Sequence, residues 1–338
     1  MKVDAVLTSN LHQAAAHGRR IRDAGFSGAW TSEIAHDPFL PIAIAGADTA
    51  PLELGTSIAV ALARSPMTLA NTGWDLQALT RGRFVLGLGS QIKPHITRRF
   101  DMPWSHPASR MREMVLAIRA IWECWLTDGK LDFTGDFYNL TLMTPEFVPD
   151  PAELSEFGVP KIFLAGVGEV MTEVAGEVCD GFICHGFTTE RYLREVTIPA
   201  LARGRAKVGK TMEDFEVVGP GFVVTGLDEQ EMATARAGIK EQLGFYSSTL
   251  AYRPVLDLHG WGDLQTKLHA MSKAGDWANM SAEIDNEVLD AFAIVGEPEN
   301  LAAEFHRRFG TAIQRIRFTP KSASPRWDYV IAALRASS

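Results

Sequence analysis

Small and polar residues stand just after several apolar stretches of the chain, where predicted strands end. Glu33 and His36 follow residues 28–32, and the run Gly-Leu-Gly-Ser-Gln closes another stretch at 87–91. A carboxylic acid or an imidazole can donate or accept a proton, and glycines allow a flat ring to approach the backbone. A third run, Gly-Val-Gly at 166–168, opens a predicted helix whose free N–H groups suit a phosphate. These residue types predict a binding site with proton transfer.

The residues of this site can meet only if the strands before them run in parallel. Residues 54–60 and 83–90 are apolar, and the segment between them has helical spacing from Pro66 onward. A strand, a helix and a strand of this length form a βαβ crossover, which pairs the two strands in parallel. Ligands of such folds bind where the strands end. We therefore expect the chemistry at the carboxyl ends of the strands.

The strand–helix pattern recurs along the whole chain. The predicted strands span residues 2–7, 28–32, 54–60, 83–90, 161–165, 181–184, 216–225 and 291–295. Extra material follows the fourth and the seventh strand, and no linker or change of composition divides the chain. Eight such units predict an α/β fold, a single (β/α)8 TIM barrel over residues 1–338, with insertions at about 91–108, 127–160 and 245–290.

Composition excludes several classes of function. The chain of 338 residues has a net charge of −8, which argues against a nucleic-acid-binding surface. No apolar run approaches the roughly 20 residues that span a bilayer. The first residues read as a strand rather than a signal peptide, so we expect a cytoplasmic protein without a membrane anchor.

The cysteines and histidines form no recognisable metal or disulfide pattern. The three cysteines, at 124, 179 and 184, lack paired spacing, and none of the nine histidines has metal-ligand spacing, so we expect no metal. There is no Gly-x-Ser-x-Gly motif for a hydrolase and no phosphate-loop or dinucleotide motif for NAD. Asp37 is predicted to cap the helix that begins at Pro38.

Several of these motifs together resemble the bacterial luciferase-like superfamily. The resemblance is carried by Thr-Ser-Ile-Ala-Val at 56–60, Arg-Ser-Pro at 64–66, Leu-Thr-Arg-Gly-Arg-Phe at 79–84, Gly-Leu-Gly-Ser at 87–90 and the segment 245–261. Within the superfamily the sequence is most similar to the branch that uses the deazaflavin coenzyme F420. The resemblance implies an oxidoreductase that transfers a hydride between coenzyme F420 and a small organic substrate, and a homodimer.

Two other functions stay open at this point. One is an FMN-dependent monooxygenase that receives reduced flavin from a partner reductase. The other is a flavin-binding or deazaflavin-binding protein without catalytic activity. The sequence identifies neither the substrate nor the direction of the reaction.

The resemblance also assigns roles to individual residues. Glu33 and His36 are the expected catalytic residues, although the compact Asp-His pair of related enzymes is here replaced by Glu-Ile-Ala-His. A strand bulge with a cis peptide bond between Ser57 and Ile58 is expected to support the middle ring of the coenzyme. Basic residues of the rim loops, with Lys93, Arg98 and Arg99 among them, are expected to attract the acidic tail of F420. The predicted cofactor-binding residues are Ser57, Ile58, Arg64, Gly87, Gly89, Ser90, Gln91, Ala165, Gly166, Val167, Gly168, Cys184, His185, Gly186 and Arg253.

Overall fold

The structure is a computed structural model that describes residues 1–319 and 324–336. Its strands are β1 (Lys2–Val6), β2 (Gly28–Thr31), β3 (Glu53–Thr56), β4 (Ala59–Val60), β5 (Phe84–Gly89), β6 (Phe133–Thr134), β7 (Asn139–Leu140), β8 (Lys161–Gly166), β9 (Gly181–Cys184), β10 (Glu216–Val218), β11 (Val223–Val224), β12 (Ile294–Val295) and β13 (Arg315–Arg317). Its helices are α1 (Leu11–Asp23), α2 (Leu40–Ala45), α3 (Pro66–Thr80), α4 (Lys93–Arg98), α5 (Pro107–Thr127), α6 (Glu169–Val178), α7 (Glu190–Tyr192), α8 (Ile198–Lys207), α9 (Glu229–Ser247), α10 (Arg253–Leu258), α11 (Gly262–Ala274), α12 (Asn286–Phe292), α13 (Pro298–Phe309) and α14 (Pro325–Ala336).

Eight parallel strands close into a barrel. Their order is β1, β2, β3, β5, β8, β9, β10 and β13, and β13 pairs again with β1, where Lys2 lies opposite Arg315. The continuous apolar strands bury both faces, because helices cover the outside of the barrel and side chains fill its inside. The predicted (β/α)8 TIM barrel is confirmed.

The seventh predicted strand is right in part, and the eighth is wrong. Residues 216–225 were predicted as one strand broken at Gly219, Pro220 and Gly221; the chain does break there, but only β10, before the break, belongs to the barrel. The second half, β11, pairs in parallel with β12, the core of the predicted strand at 291–295, in a separate two-stranded sheet. The eighth barrel strand is instead β13, with the sequence Arg-Ile-Arg. Two arginines in three residues do not read as a buried strand, so the pattern of apolar residues pointed to the wrong segment.

The segment between β10 and β13 builds a second hydrophobic core beside the barrel. Aromatic and aliphatic side chains of α9 to α12 pack there against residues that follow β9 and β10. This core explains why residues 291–295 are so apolar although they lie outside the barrel. Phe292 and Ala293 are both buried in this second core, whereas Ile294 is buried in the main core.

Charged side chains fill the amino-terminal end of the barrel interior. Asp4 and Arg315 are fully buried and form two hydrogen bonds, of 2.7 and 3.0 Å. Arg315 also donates to Glu53 at 2.6 Å and Glu216 at 3.2 Å, and its guanidinium lies 5.0 Å from the ring of Trp30. A buried charge is tolerated only when it is paired in this way. This end is therefore closed, which leaves the carboxyl ends of the strands for ligands.

Candidate functional site

A bulge separates β3 from β4 at the carboxyl end of the barrel. The peptide bond between Ser57 and Ile58 is cis, as predicted. Ser57 N–H donates to Thr31 O at 2.6 Å, and the hydroxyl of Ser32 donates to Ser57 O at 2.9 Å. Arg317, at the end of β13, donates from Nη1 to the hydroxyl oxygen of Ser57 at 2.6 Å. The bulge is thus held from two sides, by β2 and by β13.

The glycines of β5 make room for this bulge. A Cβ at Gly87 would lie 1.7 Å from the carbonyl oxygen of Thr56, and a Cβ at Gly89 would lie 2.9 Å from Cγ1 of Ile58. Thr56 Oγ1 bonds to both backbone groups of Gly87, as acceptor at 3.0 Å and as donor at 2.6 Å. The close approach of two protein segments therefore requires both glycines, whether or not a ligand approaches them.

Glu33 and Arg64 form a pair behind the bulge. Glu33 Oε2 accepts from Arg64 Nη1 at 2.6 Å and from the N–H of Val60 at 2.7 Å, and its side chain is 7% exposed. Arg64 also donates to Val60 O at 3.0 Å and lies over the ring of Phe39. Both residues were predicted to act on a ligand, yet each already has a partner in the protein. Together they fix the backbone of β4.

The loop after β2 carries the other predicted catalytic residue. His36 is exposed there and does not pair with Glu33. Asp37 Oδ1 accepts from the N–H groups of Phe39 and Leu40, at 2.8 and 3.2 Å. Asp37 therefore binds the backbone just before the helix, but the predicted cap position and the predicted start at Pro38 are wrong, because α2 begins at Leu40 with Phe39 at its N-cap.

The predicted phosphate region lies after β8 and β9. Ala165, Gly166 and Val167 are half-buried, and Gly168 is exposed as the residue that precedes α6. Nothing lies within 4 Å of a Cβ built on Gly168, so the start of this helix is open to a ligand. Cys184 is buried at the end of β9, and burial raises the pKa of its thiol to about 12, against the opposing charge of Arg317. This thiol is packed rather than activated as a nucleophile.

His185 lies in an aromatic cage that belongs to the second core. Its ring is 4.8 Å from the rings of both Tyr246 and Tyr252, stacked on Tyr252 and edge-on to Tyr246. His185 Nδ1 accepts from the N–H of Phe187 at 3.0 Å, which assigns the ring proton to Nε2. Burial, with a smaller contribution from the charge of Arg317, lowers the pKa of His185 to about 4. The imidazole is therefore neutral at pH 7. Gly186, beside it, packs against the ring of Phe222.

The remaining predicted residues are spread around the rim. Ser90 donates to Gln91 O at 3.1 Å, and Gln91 has a positive φ of 59°. Arg253 lies on α10 and donates to Asp257 at 3.2 Å and to Gln265 at 3.3 Å. Arg99 donates to Ile34 O and stacks on Phe100. Lys93 and Arg98 are exposed on α4 and are the freest of the predicted tail-binding cations.

Arg317 is the residue that the sequence analysis missed. In the described part of the chain it forms no ion pair with a carboxylate, and its buried Nε has no hydrogen-bond partner. The only signal for it was an unassigned Arg-Ile-Arg segment, because the barrel was closed with the wrong strand. An unpaired cation beside the bulge provides a donor for a ligand oxygen.

The donors that the rim leaves free suit a ligand rich in acceptors. They are the guanidinium of Arg317, the exposed cations of α4 and the first N–H groups of α6. A coenzyme with ring carbonyl groups, a phosphate and an acidic tail matches this donor set. Within residues 1–319 and 324–336, no group of three or more His, Cys, Asp or Glu side chains could hold a metal ion, and no helix is long and apolar enough to cross a membrane.

Comparison with known proteins identifies a family, several relatives and similar solved structures. Residues 2–315 match the family described as luciferase-like monooxygenase. An uncharacterized protein of Mycobacterium tuberculosis is 49% identical, over 94% of this chain and 92% of that protein. An F420-dependent glucose-6-phosphate dehydrogenase of Nocardia farcinica is 30% identical, over 55% of this chain and 54% of that protein. The structure of a coenzyme F420-dependent tetrahydromethanopterin reductase from Methanopyrus kandleri superposes with a TM-score of 0.76 at 15% identity, covering 100% of this chain and 97% of that one.

Proposed function

The chain belongs to the luciferase-like monooxygenase family, and from this premise we propose that it is an oxidoreductase that transfers a hydride between coenzyme F420 and a small organic substrate. The single observation that carries the proposal is the unpaired guanidinium of Arg317 beside the bulge at Ser57 and Ile58. The F420-dependent dehydrogenase among the relatives supports the choice of coenzyme.

Each part of the rim has a distinct task in this proposal. The bound coenzyme would supply a ring carbon that gives or takes a hydride. The bulge at Ser57 and Ile58, fixed by β2 and β13, offers a rigid surface for that ring. The open start of α6 at Gly168 offers N–H groups to the coenzyme phosphate. The cations Lys93 and Arg98 face the solvent where an acidic tail would lie.

In this proposal, the residues that stabilise charge and donate hydrogen bonds differ from those that the sequence predicted. Arg317 would stabilise negative charge that develops on an oxygen during hydride transfer. Glu33 is a weak candidate for the proton donor, because Arg64 and the N–H of Val60 already occupy its carboxylate. His185 is neutral, and its Nε2 lies 3.5 Å from the hydroxyl oxygen of Tyr252. It provides a hydrogen-bond donor within an aromatic wall that excludes water.

A second candidate function rests on the description of the family. Because the family is named for monooxygenases, the same rim would bind reduced FMN in an enzyme that uses oxygen. FMN ends at its phosphate, so this alternative gives no role to Lys93 and Arg98. Reduced flavin would then come from a partner reductase.

Titration of the purified apoprotein with coenzyme F420 and with FMN separates the two functions. Quenching of coenzyme fluorescence should give a dissociation constant for F420 that is about tenfold or more below that for FMN. Arg98→Ala should weaken F420 more than an analogue without the tail, whereas Arg236→Ala on α9 should change neither. Tighter binding of FMN would overturn the F420 assignment. F420 binding without hydride exchange across a broad substrate panel would favour a binding protein over an enzyme.

A further inference from the structure

A cavity of about 470 Å³ lies above the carboxyl ends of β10 and β13. Its walls come from α9, from the segment that includes β11, from the end of β13 with the residues that follow it, and from Trp327 of α14. Aromatic and aliphatic side chains, among them Phe222 and Ile239, make most of this surface apolar. The volume suits a small molecule. The loops after the seventh and eighth strands are also a frequent place for anion binding in TIM barrels.

Arg317 brings a positive charge to this cavity. Arg317 is one of the residues that line the wall, and its Nη1 donates to the hydroxyl oxygen of Ser57 at 2.6 Å. Its Nε is buried and has no acceptor among residues 1–319 and 324–336. Withdrawal of the guanidinium from water lowers the pKa of Arg317, and a buried donor without a partner is costly. The guanidinium therefore has unused capacity to bind an oxygen.

Arg315, on the same strand, differs from Arg317 because carboxylates of the protein neutralise its charge. Arg315 points into the same barrel two residues earlier, and three carboxylates, Asp4, Glu53 and Glu216, surround it. Arg317 has no such partner in the part of the chain that the structure describes. The difference is the one expected between a structural cation and a binding cation.

A second unsatisfied group lines the same cavity. The hydroxyl oxygen of Thr225 is buried and makes no hydrogen bond within the described ranges. Glu231 also lines the wall, but its carboxylate accepts from the N–H of Leu227 at 2.8 Å and so has a partner. The cavity thus combines an apolar body with two free donors, a guanidinium and a hydroxyl.

We propose that this cavity is the substrate site and that its ligand is a small molecule with an anionic oxygen on an apolar or compact body, held by Arg317 and Thr225. This inference rests on the proposed function, since it makes the ligand the partner of hydride transfer. Arg317 bridges the cavity and Ser57, so a molecule bound to it would lie next to the bulge that is proposed to support the coenzyme ring. The substrate class is then a carboxylate or a phosphate ester.

Benzoate and benzamide provide a matched pair of probes, because they share size and shape and differ in charge. Calorimetric titration of the full-length apoprotein should show benzoate binding about tenfold or more tighter than benzamide. Arg317→Met should reduce this preference to less than about twofold. Thr225→Val should weaken benzoate binding and keep the preference for it over benzamide. Arg236→Met removes one positive charge from α9 outside the cavity and should leave both constants unchanged.

Each outcome decides a separate question. The proposal is overturned if the wild-type protein shows no preference for benzoate, or if Arg317→Met keeps the preference while circular dichroism shows a folded protein. If Arg317→Met does not fold, Arg317→Gln, which removes the charge and keeps a hydrogen-bond donor, should also reduce the preference to less than about twofold, and retention of the preference in a folded Arg317→Gln protein would overturn the proposal. Competition between F420 and benzoate would contradict a separate substrate site. Benzoate binding that depends on Arg317, in a protein that does not bind F420, would support the anion site and overturn the proposed function.

Discussion

His185 shows how packing decides the chemistry of a single residue. The family resemblance implied that it lies in the loop that contacts the coenzyme phosphate. The structure surrounds it with aromatic rings and lowers its pKa to about 4. The rings come from α9 and the turn before α10, more than fifty residues away in the chain, so no local pattern could have revealed them.

The depressed pKa of His185 predicts a pH dependence of stability. The unfolded chain binds a proton at this residue below about pH 6.5, but the folded protein does so only near pH 4, so the free energy of unfolding must fall as the pH is lowered through this window. His185→Asn, which can keep the bond to Phe187, should reduce the loss between pH 7 and pH 4.5 by about 1–3 kcal/mol. Urea unfolding at a series of pH values measures the difference. The exposed His36→Asn is the control and should follow the wild type; parallel curves for His185→Asn and the wild type would contradict the prediction.

The role of some other residues could be predicted from their neighbours in sequence, whereas the role of others depends on partners that are distant in the chain. The cis bond at Ser57 was predicted correctly from the family resemblance, and Asp37 binds the backbone before α2 as its local sequence suggests, although the helix begins two residues later than predicted. Glu33 and Arg64 were predicted as separate functional groups, and their pairing across the bulge could not be seen in the sequence. Arg317 was missed because its role exists only once the barrel is closed.

The bulge and β5 form one unit at the scale of elements. The third strand changes its path at Ser57, so that β4 pairs farther along β5 than β3 does. Gly87 and Gly89 are the places where β5 accommodates this shift. The position of the proposed ring support therefore depends on two glycines of the neighbouring strand.

Gly87→Ala should disrupt this unit severely. Its Cβ would lie 1.7 Å from a backbone oxygen that cannot move independently of β3, so the free energy of unfolding should fall by more than about 3 kcal/mol, or the protein should not fold. Gly168→Ala is the matched control, because nothing lies within 4 Å of its Cβ, and it should cost less than about 1 kcal/mol. Urea unfolding measures both. Similar losses for the two variants would show that the bulge does not constrain β5.

Element prediction succeeded where strands are continuously apolar and failed where their inner residues are charged. The first six barrel strands were located, with small differences in their ends. The eighth was misplaced because β13 carries Arg315 and Arg317, whereas residues 291–295 are apolar although they lie outside the barrel, with Ile294 in the main core and Phe292 and Ala293 in the second. Hydrophobic patterning reports burial, and it does not report which core a segment joins.

At the scale of the whole molecule, the barrel closes through a network of charges. Asp4 and Arg315 are both fully buried, and Lys2, Lys161, Glu53 and Glu216 extend the network toward the solvent. Burial alone would raise the pKa of Glu216, but Lys161, Arg315 and Lys2 hold it at about 2. The first and last barrel strands are thus joined by side chains as well as by the backbone.

Removing a buried member of this network should cost far more than removing an exposed one. Asp4→Asn leaves Arg315 without its fully buried partner and should lower the free energy of unfolding by about 3–5 kcal/mol. The side chain of Lys161, a partner of Glu216, is 55% exposed. Lys161→Met should therefore lower the free energy of unfolding by no more than about 1 kcal/mol. Denaturant unfolding at pH 7 compares the two variants. Equal costs would mean that burial does not set the strength of these pairs.

The same closure has a consequence for the growing polypeptide. Asp4 and Arg315 are 311 positions apart, so at about 5–20 residues per second the ribosome needs roughly 15–60 s to deliver the second neighbour of β1. During that time one edge of the first strand has no partner and is open to strands of other nascent chains. Lys2 and Asp4 place charges on this edge, and charged side chains on an open strand discourage such pairing. We therefore expect the residues that close the finished barrel also to protect the unfinished one from aggregation.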